Sequence, residues 1–500
     1  MKKFLVFSFY LLVLAVVASA APVSKERAAR VAENAVVRFC AELDGITPGG
    51  EPVELTDVAH AMGFNLLYIY KYRYAGVEGF VVVSGDDCTD PVLAFSDKGE
   101  LNLSGKVVTE ADRIGIAGPG FHSILRHYSE EIWAAREAKA SASAAVARKW
   151  KRYEEAVPAG KGDFYNDNIE PLLGLMKWGQ SSPYNAKCPG GSVTGCVATA
   201  FGMIMNYWDY PEHGFGYHSY NGADNPAAYP DWSFGELSAD FENTYYDWAH
   251  MDDFVYIGGN DTANEAVSTL LYQIGVALEM HYTPTGSGCW SLPEYAIFDT
   301  SLHLSPDMGA DTRIPRHFGY RYDYAGMRDS IGDDSVWLHM LYNSLAEGKP
   351  VYYAGWAKDT SAAGHSGTSG HGYVIDGYFS DEIDTNFFWI NWGWNGTANG
   401  YFKLDAMTPQ GADFTQWHGA IIGLEPDTSY HGYVGIQQPI ADRQQPIVRA
   451  AGGRITVVGA EGHDIAVYDI LGRRVRNANL PAGVYIVRID NQAYKVIMKN

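Results

Sequence analysis

The reading of this chain turns on TGCVATAFGMIMNYW, residues 194–208. Val197, Phe201, Ile204, Met205 and Trp208 recur at helical spacing and make one apolar face, so a buried helix is expected from Cys196 to Trp208. The stretch before it, SSPYNAKCPGGSVTG (181–195), is rich in turn formers and marks a loop. Thr194 is the expected N-cap, which puts Cys196 in the first helical turn. There the helix dipole favours a thiolate, and a free backbone N–H can face an oxyanion. A lone cysteine is more often a packing residue, so Cys196 needs partners before it counts as a nucleophile.

A thiolate needs a base. His371 lies in SGHGYVIDGYF (369–379), flanked by Gly370 and Gly372 and followed by alternating apolar residues that read as a strand. Beyond the acidic turn SDEIDTN (380–386) comes a second strand within NFFWINWGW (386–394). Folding the second strand back brings Asn391 near His371, where a side-chain amide would hold the imidazole in the tautomer the reaction needs. Trp392 would cover that bond and exclude water. Trp389, and in part Trp394, read as core. Gln180, in MKWGQSSPYN (176–185), lies sixteen residues before Cys196, and its amide is a candidate second oxyanion donor. Other chemistries lack their residues. No serine sits in G-x-S-x-G, and there is no H-E-x-x-H. Asp252-Asp253 and Asp333-Asp334 read as solvated turns or helix starts, not as a glycosidase pair. His365 falls in a Gly/Ser-rich loop.

Composition bounds the rest. Five hundred residues, 47% of them hydrophobic, make two to four domains with sizeable cores. Aromatics at 14% and 54 glycines point to much β-structure and many turns. A net charge of −22 excludes sequence-independent nucleic-acid binding, which needs a basic face. Asp167–Asp427 holds 9 Lys and Arg against 33 Asp and Glu, whereas Ser429–Asn500 holds 9 against 5, so the tail is a separate unit. Five cysteines are too few for a disulfide scaffold, and no Cys/His spacing fits a structural zinc.

The order of segments is that of an exported protein. Met1–Ala20, with Lys2, Lys3, an apolar run and Ala18-Ser19-Ala20, reads as a cleaved signal peptide. Residues 21–164 open with a helix over Val23–Leu43, whose face is Ala28, Val31, Ala32, Ala35, Val36 and Phe39. Strands follow at Leu66–Tyr74, Gly79–Ser84 and Pro91–Phe95. Glu110–Glu155 reads as a solvated helix or linker. Residues 165–428 are the acidic, aromatic block, with further helices at Asn264–Glu279 and Ser335–Glu347 and β-rich sequence over Pro350–Gly423. Residues 429–500 read as a small all-β, sandwich-like domain.

Taken together, WGQSSPYN, GCVATA, PVYYAGW (350–356), GHGYVIDGY (370–378) and FFWINWGWNGTANGYFKLDAM (387–407) resemble the streptopain family of papain-like cysteine peptidases. The resemblance spans nearly all of 165–425 with the motifs in the family's order. It implies an α+β catalytic domain of two subdomains, one helical and one of antiparallel β-structure, needing no cofactor or metal. It also implies Cys196 as nucleophile, His371 as base and acid, Gln180 as oxyanion donor, and Asn391 and Trp392 as support for the histidine. By the same resemblance, Ser287 and Gly370 are candidate peptide-binding residues; Cys289 departs from the pattern and either pairs with Cys188 or is free. Residues 21–164 resemble the family's inhibitory propeptide through GFVVVSGDDCTDPVLAFSDKGEL (79–101), with Arg148–Lys161 as the cutting region. The tail resembles the C-terminal sorting domain of type IX secretion substrates through VYDILGRRV (467–475), LPAGVYIVRI (480–489) and KVIMK (495–499). That implies a secreted or surface-held virulence factor of a Bacteroidetes-type bacterium whose partners are protein substrates, its own propeptide and the secretion machinery. An accessory β-domain binding carbohydrate or matrix is the other reading of the tail. A transglutaminase-type acyl transferase would use the same residues, and a non-catalytic adhesin would use the same fold.

Overall fold

The structure is a computed structural model. It describes residues 21–498 other than 44, 47–50, 61–65, 100, 102–118, 156–167, 223–233, 285, 293–308, 357–369, 381–385, 405–417, 432–446, 452–453, 459–464, 470–472, 479, 482 and 490–491. The signal-peptide stretch, His365 and residues 156–161 of the expected cutting region lie outside the described residues.

The N-terminal segment comprises α1 (Lys25–Leu43), β1 (Glu54–His60), β2 (Leu67–Tyr74), β3 (Val77–Ser84), β4 (Val92–Ser96), α2 (Pro119–Glu137) and α3 (Ala144–Glu154). The face expected of α1 is the one it buries. β1 was not foreseen, because its sequence ELTDVAH carries little apolar alternation. The stretch read as a solvated helix or linker is helical, but its two helices are packed and not solvated. Tyr128, Ile132 and Ala135 of α2 and Trp150 and Tyr153 of α3 are buried. The misreading has a physical cause: few apolar residues suffice when they are large, and Trp150 closes its contact by donating to the Thr89 carbonyl at 2.8 Å.

The central block comprises α4 (Cys196–Trp208), the hairpin β5 (Tyr217–Asn221) and β6 (Glu236–Asp240), α5 (Asp261–Ala277), α6 (Ala310–Phe318), β7 (Tyr320–Arg321), β8 (Tyr324–Met327), α7 (Arg328–Ile331), α8 (Asp334–Ala346), β9 (Val351–Trp356), β10 (Gly370–Phe379), β11 (Phe387–Asn391), β12 (Gly400–Lys403), β13 (Gly419–Ile422) and β14 (Glu425–Pro426). Asp333 caps α8 by accepting from Ser335 and Val336, so that acidic pair is a helix start as expected.

Ten strands form one antiparallel sheet in the order β1-β2-β3-β4-β12-β11-β10-β9-β13-β8. The joint between segments is β4 against β12, with Phe95 opposite Tyr401 and Ala94 opposite Phe402. One face is a single core running the length of the sheet beneath α2 and α8. The other face is divided. α4 and α5 cover the half built on β9, β10 and β13, whereas α1 and α3 cover the half around β2, β3, β4 and β12. The arrangement is the α+β, two-part architecture the sequence implied. In the tail, β15 (Ile447–Ala451) pairs with β16 (Arg454–Val458), and β17 (Ile465–Asp469), β18 (Gly483–Ile489) and β19 (Gln492–Met498) form a three-stranded sheet. Arg488 of β18 reaches Asp323 of the central block at 2.7 Å. Among the described residues, no helix is long and apolar enough to cross a membrane.

Candidate active site

Cys196 is the first residue of α4. Its N-cap is Gly195, not Thr194, and Gly195 holds φ at 87°, a conformation that favours glycine. A side chain there would also strike Met280 and the Ser287 carbonyl. Thr194 instead meets Thr199 through their hydroxyls at 2.8 Å. The thiol accepts from the Gly372 N–H at 3.4 Å. Burial pushes the thiol above its usual range, and the N–H groups of Gly372, Val197 and Cys196 pull the other way without overcoming it. The expected bias toward thiolate is therefore outweighed here by desolvation.

His371 is the second residue of β10 and only 4% exposed. Val374 packs in the core shared with α4, whereas Tyr373 and Ile375 pack in the core on the other face. Strand alternation sets His371 in step with Tyr373, whose ring is 6.0 Å away. The imidazole thus sits among Tyr373, Trp392 and Trp394. Its Nε2 lies 3.0 Å from the Trp392 carbonyl and 3.0 Å from the indole N–H of Trp394. No hydrogen bond joins it to Cys196 among the described residues, although Gly372, the next residue, touches the sulfur. Burial lowers the imidazole to about 4, so the ring is neutral at ordinary pH.

Asn391 does not reach the histidine. It stands opposite Val374 in the β10–β11 register, donates to the Met176 carbonyl at 2.8 Å and accepts from Gly393 at 3.2 Å. The support expected from its amide comes instead from the main chain of Trp392. That residue is pinned by its own indole, which donates to Ala398, and by its N–H, which donates to Asn399. No side-chain pattern reveals a main-chain acceptor of this kind, and Trp394 looked like packing.

Gln180 is 6% exposed, and its Nε2 is buried without a partner among the described residues. Its main-chain carbonyl accepts from the Thr194 N–H, two residues before the nucleophile, so the backbone at Gln180 and the start of α4 are fixed to one another. A buried donor left open is costly unless something fills it, and a developing oxyanion would do so. Ser287 is buried with its hydroxyl already occupied. It donates to Val193 at 2.6 Å and accepts from Thr283 at 3.0 Å, which leaves only its main chain for a bound peptide. Gly370 opens β10 opposite Trp356. None of the five cysteines is in a disulfide, so Cys188 and Cys289 are not paired. No grouping of three or more metal-binding side chains occurs among the described residues.

A model of the Peptidase C10 family matches residues 178–402, and a model of the Spi protease inhibitor matches residues 20–111. The chain is 25% identical to streptopain of Streptococcus pyogenes serotype M28 over 400 residues, which are 77% of this chain and 84% of streptopain. It is 26% identical over 428 residues to the thiol protease/hemagglutinin PrtT of Porphyromonas gingivalis, covering 81% of this chain and 42% of PrtT. A solved fragment of Prevotella intermedia prointerpain A is similar at 27% identity, with a TM-score of 0.51, over 74% of this chain and 98% of that fragment. The chain belongs to the Peptidase C10 family. It is a streptopain-like cysteine endopeptidase made as a zymogen, with an inhibitory propeptide ahead of the peptidase. Helix α2 packs on the sheet face that carries Tyr373 and Trp392, two of the rings around His371.

Proposed function

We propose that the matured peptidase cleaves peptide bonds in proteins through Cys196 and His371, and that the structure corresponds to the latent precursor. The observation that carries this reading is the open, buried amide of Gln180 beside the turn that presents Cys196. In the working enzyme His371 takes the proton of the Cys196 thiol, and the sulfur attacks the peptide carbonyl. The carbonyl oxygen becomes an oxyanion held by Gln180 and the Cys196 N–H. As the C–N bond breaks, imidazolium at 371 gives its proton to the departing amine and leaves a thioester on Cys196. Neutral His371 then removes a proton from water, which attacks the thioester and frees the acid. Trp392 supports the ring through its carbonyl, and Asn391 acts on Trp392 by fixing the turn that follows it. The main chain at Ser287 and Gly370 binds the peptide.

The segment 21–164 is the propeptide, 165–428 the peptidase and 429–500 a sorting domain, with residues 1–20 directing export. The motif at 467–475 and the basic terminus support passage through a type IX secretion system of a Bacteroidetes-type cell. Asn168 and Ile169 are already bonded to Ser380 and Tyr378, and Arg148–Glu154 is folded into α3. Cleavage within Arg148–Lys161 separates the propeptide from the peptidase. The test is a Cys196→Ala precursor expressed beside the wild type. Self-cleavage requires that the variant stay full length while the wild type shortens, and maturation of the variant on its own would overturn it. Incorporation of a primary amine in preference to hydrolysis would instead identify a transferase.

A further inference from the structure

The Nε2 atom of His371 has two partners at 3.0 Å with opposite demands. The Trp392 carbonyl can only accept, so it requires a proton on Nε2. The indole of Trp394 can only donate, so it requires that Nε2 carry none. A neutral imidazole satisfies one of them at a time. With Nε2 protonated toward Trp392, Nδ1 presents a lone pair and can act as a base. With Nε2 accepting from Trp394, the proton sits on Nδ1 and the ring has no lone pair left for a thiol. Imidazolium, protonated on both nitrogens, cannot accept from Trp394 at all.

We infer that Trp394 is a positioning residue that sets the tautomer of His371: its indole N–H holds the ring in the Nδ1–H form in the precursor, and the ring becomes a base when Nε2–H turns to the Trp392 carbonyl. The surroundings agree. The ring is neutral and buried, and Trp392 is itself held rigidly by Ala398 and Asn399. Trp394 is only partly buried, so it is the more movable of the two partners. Removing α2 from this face would uncover the aromatic group and let Trp394 withdraw.

This inference rests on His371 being the base, but its test does not depend on turnover. In full-length Cys196→Ala precursor with 15N-labelled histidines, the His371 ring, assigned by its loss in a His371→Gln variant, is expected to show the Nδ1–H form. Adding Trp394→Phe, which removes the N–H and keeps a ring, is expected to convert it to Nε2–H. An Nε2–H ring in the precursor, or an Nδ1–H ring that persists in the phenylalanine variant, would overturn the inference. If that variant does not fold, the tautomer of the Trp394-containing precursor decides alone. A precursor with the expected tautomer but an inert Cys196 after maturation would sink the peptidase mechanism and leave the tautomer assignment standing.

Discussion

At Cys196 two effects oppose each other. The helix start supplies N–H groups that favour sulfur anion, and burial in the core around α4 disfavours it more strongly. The sequence shows the first effect and cannot show the second, which depends on residues more than forty positions away. Cys196, His371 and Gln180 were legible because each sits in a local pattern with a chemical meaning. Asn391 was assigned by pairing two strands, and a shift of three positions along the register was enough to send its amide to Met176. Gln180→Ala is expected to lower kcat of the matured enzyme by roughly 10²–10³ with little change in KM, read from peptide hydrolysis. The buried imidazole gives a pH effect on the precursor. Its folded value of about 4 lies below the ordinary ~6.5, so the unfolded chain binds the proton first. Stability is therefore lost as pH falls from about 6.5 toward 4, by on the order of 3 kcal/mol at most from this group. Urea midpoints at pH 7 and pH 4.5 should drop less in a Cys196→Ala/His371→Gln precursor than in Cys196→Ala alone.

Strand β10 carries more than the base. Asp376 lies at the irregularity between Ile375 and Gly377, where its carboxylate accepts from Leu173 and its main chain from Leu172. It thereby ties the start of the peptidase, and the run leading to Gln180, to the strand of His371. One carboxylate oxygen has no partner among the described residues, and burial pushes the group up to about 7. A folded value raised above the ordinary ~3.9 means stability is highest in acid and is lost as pH rises through 7. Asp376→Asn keeps the acceptor for Leu173 and removes the buried charge. It is expected to raise stability by about 4 kcal/mol at pH 8 and by about 1.5 kcal/mol at pH 5, measured by urea unfolding of the Cys196→Ala precursor. Element types were largely readable from periodicity. α2 and α3 were misjudged because their burial is decided by a sheet face assembled from distant strands, not by their own apolar pattern.

At the scale of the molecule, latency is built into the sheet. The propeptide strands extend the peptidase sheet at β12, and beside that joint Asp90 of the propeptide pairs with Lys403 of the peptidase and Lys149 of α3. Lys403 is 2% exposed, so the ion pair with Asp90 is made away from water. Asp90→Asn is expected to weaken propeptide docking by about 1.5–3 kcal/mol, the range of a hydrogen bond to a charged group. Conversion of the precursor, followed on gels, should then be at least tenfold faster than wild type; an unchanged rate would show that the seam is held elsewhere. This joint could not be read in the sequence, since Phe95 and Tyr401 carry no mark of being neighbours. The most direct measurement is mass mapping of an epoxysuccinyl thiol reagent before and after maturation. A single adduct on Cys196 that forms rapidly only in the matured chain, and is lost in His371→Ala, is the expected result. Equal labelling of the precursor, or full peptide hydrolysis with Cys196 unlabelled, would contradict it.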